Sequence, residues 1–177
     1  MQNFARTFRN AAPALLLCSA LAGSFTSSVV SAQNFGTPLA PYIDDYTKVT
    51  KLVSAKQFEE ALAKAEAYLE SKPKDPQMRF IKGVILTDTG KSIEATNLFV
   101  TLTQDYPELP EPYNNLAVLY AANNQFEQAR ASLEMAIRTN PSYATAHENL
   151  GDVYVKLASQ SYIKALQLEP KKITIQP

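Results

Sequence analysis

Few residues in this chain have the type and spacing to do covalent chemistry. Thr89-Gly90-Lys91-Ser92 ends like a phosphate-binding loop, in which backbone N–H groups cradle phosphates while the Lys and the hydroxyl reach phosphate and metal. The full pattern requires a Gly five residues before Gly90; Ile85 stands there, and Gly83 comes two residues too early. The preceding residues also read as helix, not as the strand such a loop follows, so an interhelical turn is expected. His147 is the sole histidine, with no nucleophile or carboxylate orienter at a recognisable spacing; packing is its expected role. Asp44-Asp45 and Glu59-Glu60 are adjacent pairs, which point in different directions on a helix and read as solvated faces. No His, Cys, Asp or Glu cluster has metal-ligand spacing. The sequence therefore predicts no enzyme, no cofactor and no metal site.

The elements that carry these residues are short amphipathic helices. From Pro110 to Tyr143, Tyr113, Leu116, Ala117 and Tyr120 recur at helical spacing, and after Asn123-Asn124-Gln125 so do Phe126, Ala129, Leu133, Ala136 and Ile137. Pro141 stops the pattern. The same unit recurs along the chain: Ala61, Ala95 and Ala129 are 34 residues apart, and so are Pro73, Pro107 and Pro141. A helix pair with one apolar stripe cannot bury it alone, so stacked pairs are expected.

These residues resemble the tetratricopeptide repeat family, whose pattern is W-x2-L-G-x2-Y, then A-x3-F, then P. Tyr113, Leu116, Ala117, Tyr120, Ala129, Leu133 and Pro141 occupy those places in one copy. His147, Leu150, Gly151, Tyr154, Ala158, Tyr162 and Pro170 do so in another. Arg79, Gly83, Leu86, Ala95, Phe99 and Pro107 form a third, with Lys82 in place of the leucine. In the first copy Leu52, Ala61 and Pro73 fit, whereas Asp45, Lys48, Val49 and Ala65 depart. The implied fold is all-α, a right-handed superhelix of tetratricopeptide helix pairs, about three pairs plus one long terminal helix, over residues 42–170.

The long helix is read from the residues of the last copy. Ala158 and Pro170 arrive five residues before their places in the 34-residue period, and the missing residues are those of the interhelical turn. No Gly or Pro interrupts Asp152 to Glu169, which predicts one helix over roughly residues 144–168. Its second half would leave Tyr162, Ile163 and Leu166 open to a partner or to self-association.

Ahead of the repeats lies a different composition. Residues 1–32 hold Arg6 and Arg9, an apolar run from Ala11 to Ala22 and small residues ending in Val30-Ser31-Ala32, the order of a secretory signal peptide. Cleavage is expected after Ala32, with Ala20-Leu21-Ala22 as the competing site. Leu17 stands before Cys18 where a lipoprotein signal wants a small residue, so lipidation is not expected. Cys18, the single cysteine, leaves with this segment, and the mature chain then suits an oxidising compartment without disulfides. Residues 33–41 read as a flexible leader, and residues 171–177 as a tail without an assigned role. Losing Arg6 and Arg9 lowers the 17 basic residues to 15 against 17 acidic ones. That balance excludes the basic footprint of a nucleic-acid binder, and no membrane span is expected in the mature chain.

In the tetratricopeptide family the first helices of successive pairs line a concave groove. The resemblance places Tyr46, Phe80, Val84, Asn114, Asn115, Val118, Asn149 and Asp152 along it as peptide-groove residues. Asn115 and Asn149 are 34 residues apart, and their amides can hold the main chain of an extended peptide or bond neighbouring helices. Family members that clamp a C-terminal carboxylate present Lys and Arg there, whereas these places hold mainly Ile43, Tyr46, Thr145 and Asn149. The expected function is a non-enzymatic adaptor of the cell envelope, exported to a bacterial periplasm, that binds a peptide segment of a protein partner.

Overall fold

A computed structural model describes residues 44–169 of the chain. The expected signal peptide, the leader, Ile43, Pro170 and the tail lie outside the described residues. Seven helices occupy the described part: α1 (Asp45–Ser54), α2 (Phe58–Ser71), α3 (Pro76–Asp88), α4 (Ser92–Asp105), α5 (Pro110–Ala122), α6 (Phe126–Thr139) and α7 (Ala144–Leu168). No strand occurs among the described residues. The architecture is the all-α helical-repeat solenoid that the period implied.

Local chemistry sets the helix ends. Asp44 and Asp75 cap α1 and α3 by accepting from the backbone N–H of Thr47 and Met78. Pro76 and Pro110 open α3 and α5 at positions whose N–H groups need no helical partner. Within each pair the chain reverses through one left-handed residue, and these three residues are themselves 34 apart: Lys56 (φ 58°), Gly90 (φ 76°) and Asn124 (φ 59°). Gly90 adopts this conformation without a Cβ penalty, and Asn tolerates it better than most side chains. Thr89-Gly90-Lys91-Ser92 is accordingly a turn between α3 and α4, as its sequence context required.

Each pair completes its core with the first helix of the next pair. Val49, Ala61, Ala65, Met78, Ile81 and Ile85 join α1, α2 and α3. Leu86, Ala95, Phe99, Leu102, Leu116 and Leu119 join α3, α4 and α5. Ala117, Ala121, Phe126, Ala129, Leu133, Ala136, Ala146 and Val153 join α5, α6 and α7. Val49 and Ala65, which depart from the repeat pattern, are nonetheless buried in the first of these cores. The small residues let helices approach: a Cβ at Gly83 would lie 2.6 Å from the Phe99 ring, so α3 and α4 close only because that atom is absent.

Successive first helices touch, α1 against α3, α3 against α5 and α5 against α7, whereas α2, α4 and α6 have no such contacts with one another. The stack therefore bends with the first helices on its inner side. α7 is a single helix of 25 residues, as the missing turn predicted. Only its first half joins a core, through Ala146, Asn149 and Val153. One expectation is corrected here. His147 does not pack; it is exposed on α7, with Nε2 3.0 Å from the Pro141 carbonyl.

Candidate functional site: the inner face of the stack

Residues on α1, α3, α5 and α7 decide what the inner face can hold. Tyr46 opens it. Its hydroxyl lies 2.7 Å from that of Tyr68 and donates to the Asp75 carboxylate, which also caps α3. Burial first, and then the bond to Asp75, hold the phenol far above its ordinary range, so it stays a neutral donor. The Tyr46 and Tyr68 rings meet at 5.4 Å, tilted. Tyr46 thus joins α1, α2 and α3 and leaves only part of its ring to the surface.

Phe80 lies 5.7 Å from Phe99, tilted, and both Phe80 and Val84 pack on the second core while remaining partly exposed. Val118 on α5 is also partly exposed. α3 and α5 thus each keep partly exposed apolar side chains.

The amides sit deeper than a surface lining. Asn114, Asn115 and Asn149 are 0%, 3% and 1% exposed. The repeat period pairs Asn115 with Asn149, but the structure joins Asn149 to Asn114: its Nδ2 donates to Asn114 Oδ1 at 2.8 Å, from α7 to α5. Asn115 instead turns back on its own helix and donates to the Glu111 carbonyl at 3.0 Å. The Asn pair does not use all its capacity. Asn114 Nδ2, Asn149 Oδ1 and the Oδ2 of Asp152, one turn along α7 from Asn149, are buried atoms with no hydrogen-bond partner among the described residues. One donor and two acceptors therefore stand unmatched at the α5–α7 joint, where an unmade bond costs about 1–3 kcal/mol per group.

Tyr143 was not singled out from the sequence, where it only ended a repeat. Its hydroxyl is another buried atom without a partner among the described residues. Burial, helped by the charge of Glu111, pushes its pKa up to about 12. The signal that could have found it is the aromatic ring placed between the proline that ends α6 and the first turn of α7.

Three cations on the first helices are engaged by carboxylates. Lys48 lies 2.9 Å from Asp45, Arg79 lies 2.7 Å from Asp105 and Lys82 lies 2.8 Å from Glu66. α5 carries no Lys or Arg at all. Among the described residues, no cluster of His, Cys, Asp or Glu could hold a metal ion, and no helix is long and apolar enough to cross a membrane.

Comparison with known proteins agrees with this geometry. A family model described as a tetratricopeptide repeat matches residues 46–95, and one described as a TPR repeat matches residues 119–158. The chain is 33% identical over 78 residues to the tetratricopeptide repeat domain-containing protein PYG7, chloroplastic, of Arabidopsis thaliana, covering 41% of this chain and 26% of that protein. The chain thus spans about a quarter of that relative's length. Among solved structures, a thermophilic TPR protein of Thermus thermophilus superposes with a TM-score of 0.60 at 25% identity, covering 71% of this chain and 73% of that one. YrrB, described as a TPR protein with an unusual peptide-binding site, superposes with a TM-score of 0.54 at 29% identity, covering 58% and 53%. The matched segments contain the period, the small residues and the left-handed turns described above, and on these grounds the chain belongs to the tetratricopeptide repeat family.

Proposed function

We propose that this protein is a non-enzymatic adaptor whose inner face binds an extended, uncharged segment of a partner protein. The observation that carries the reading is the set of partly exposed apolar side chains on successive first helices, Phe80 and Val84 on α3 and Val118 on α5. Asp152, half-buried on α7, offers a carboxylate to which a peptide N–H can donate. The paired state of Arg79 and Lys82 disfavours an acidic ligand. YrrB, similar in fold and sequence, is itself described as having a peptide-binding site. The chemistry-bearing residues that an enzyme would need are missing from the sequence pattern, which supports the adaptor reading.

The setting we propose is the bacterial cell envelope, with the chain exported to the periplasm after loss of residues 1–32. Its support is the order of charge, apolar run and small residues in that segment. Mass spectrometry of the amino terminus from the native host tests this: a mature protein that retains Arg6 and Arg9 refutes export.

The binding test is selection from a display library of peptides drawn from envelope proteins, followed by titration of the selected peptides. Val118→Glu and Asp152→Ala are each expected to weaken binding about tenfold, or roughly 1.4 kcal/mol. Selected peptides that ignore both substitutions, or that are mainly acidic at the C-terminus, overturn the reading.

A further inference from the structure

We propose that two copies of this chain pair through α7, antiparallel, each copy supplying the helix that the other's last repeat lacks. The inference is independent of the inner-face reading, because the surfaces involved lie on the opposite side of α7 from its core contacts. The argument compares α7 with the repeats before it. Ala117 and Ala121 of α5 are 0% and 1% exposed because α6 covers them. Their counterparts 34 residues on are Gly151 and Val155 of α7; both are exposed, Val155 at 67%. The covering side shows the same contrast. Ala129, Leu133 and Ala136 of α6 are fully buried, whereas Ala158, Tyr162 and Ala165, which stand at the same spacing, are exposed, Tyr162 at 59%.

α7 therefore carries both halves of a helix-pair contact, a receiving face around Gly151 and an inserting face around Tyr162. The molecule contains a finished version of that contact. In the second pair the Phe99 ring fills the space that Gly83 leaves open, and a Cβ there would meet it at 2.6 Å. Gly151 is the counterpart of Gly83, yet a Cβ at Gly151 meets nothing within 4 Å. Tyr162 is the counterpart of Phe99, four residues after the small residue of its helix. In one continuous helix, eleven residues separate Gly151 from Tyr162 by about 16 Å, so a chain cannot close this contact on itself without breaking α7.

A second copy closes it twice. Gly151, Val155, Ala158, Tyr162 and Ala165 fall on one stripe at alternating spacings of four and three, the seam of a two-helix coil. Running two α7 helices antiparallel about a twofold axis between residues 156 and 157 sets Tyr162 of each copy on Gly151 of the other and Val155 on Ala158. No charged residue stands on the stripe between Gly151 and Ala165. Glu148 at one end then lies near Lys164 of the other copy, whereas a parallel pair would set Glu148 against Glu148. Charge and shape thus select the reciprocal arrangement, and an isologous contact of this kind closes at two copies.

The test uses the full chain with Cys18→Ser, into which Gly151→Cys or Tyr162→Cys is introduced singly. Under mild oxidation a mixture of the two variants is expected to give the mixed disulfide roughly tenfold or more over either homodisulfide, because cysteines bridge only when their Cα atoms lie within about 7 Å. Sedimentation of the unmodified chain is expected to show a dimer that Val155→Glu dissociates while circular dichroism stays unchanged. Dominant homodisulfides, a chain carrying both cysteines that crosslinks only within itself, or a monomer at tens of micromolar would each overturn the proposal.

Discussion

Asn149 Nδ2 donates to Asn114 Oδ1 at 2.8 Å, joining α7 to α5 through two side chains with almost no solvent exposure. Removing either partner strands the other in the interior. Asn114→Ala and Asn149→Ala are each expected to destabilise the fold by about 1–3 kcal/mol. The double variant should cost less than the sum of the two, with a coupling on the order of 1 kcal/mol read from urea titrations of all four chains. Strict additivity would mean that the bond contributes nothing.

Gly83 and Gly151 are equivalent in the repeat and opposite in consequence. Gly83→Ala must displace the Phe99 ring and is expected to cost about 1–3 kcal/mol. Gly151→Ala meets open space on an exposed helix face and is expected to stabilise by up to about 1 kcal/mol through helix propensity. Thermal melts of both variants at low protein concentration check the contrast; equal shifts would refute it.

Lys56 holds a left-handed conformation that Gly90 and Asn124 adopt at the corresponding turns. A side chain with a Cβ is strained there by roughly 1–2 kcal/mol, so Lys56→Gly is expected to raise stability by about 1 kcal/mol. Gly90→Ala should lower it by a similar amount. The denaturation midpoint should move in opposite directions for the two.

The Tyr143 hydroxyl is buried without a partner among the described residues, and burial first, then Glu111, pushes its pKa up to about 12 from an ordinary 10.0. The folded chain thus keeps a proton that the unfolded chain loses. The resulting stability is fully present below pH 10 and is lost as pH rises through about 12. Tyr143→Phe should remove that component of the alkaline loss and raise stability near neutrality by about 1 kcal/mol, since no hydroxyl is left unpaired. Unchanged alkaline denaturation in the variant would contradict the assignment.

The helix pairs were legible because a helix–turn–helix unit writes its packing into spacing. Ala95 and Phe99 on α4 and Ala129 and Leu133 on α6 recur at one period, and the prolines that stop the helices recur with them. The continuity of α7 was legible for the same reason, since a missing turn is a missing set of residues. The site was less legible. Asn115 and Asn149 share a repeat position, yet Asn149 bonds Asn114 on α5 while Asn115 bonds the Glu111 carbonyl of its own helix, a choice of partner that spacing along the chain does not express. His147 shares a position with Tyr113, which packs on the third core, but among the described residues no helix follows α7 to cover His147, and its ring bonds the Pro141 carbonyl instead.

By itself the amino-acid order determined the repeat length, the helix ends and the fold class, since these depend on local geometry and on apolar spacing along one helix. The tertiary structure alone decided, among the described residues, which polar atoms lack partners, that Arg79 and Lys82 are paired with carboxylates on neighbouring helices, and that one side of α7 is exposed. Those outcomes depend on which helix covers which face, and covering is a relation between residues far apart in the chain that no spacing along it expresses.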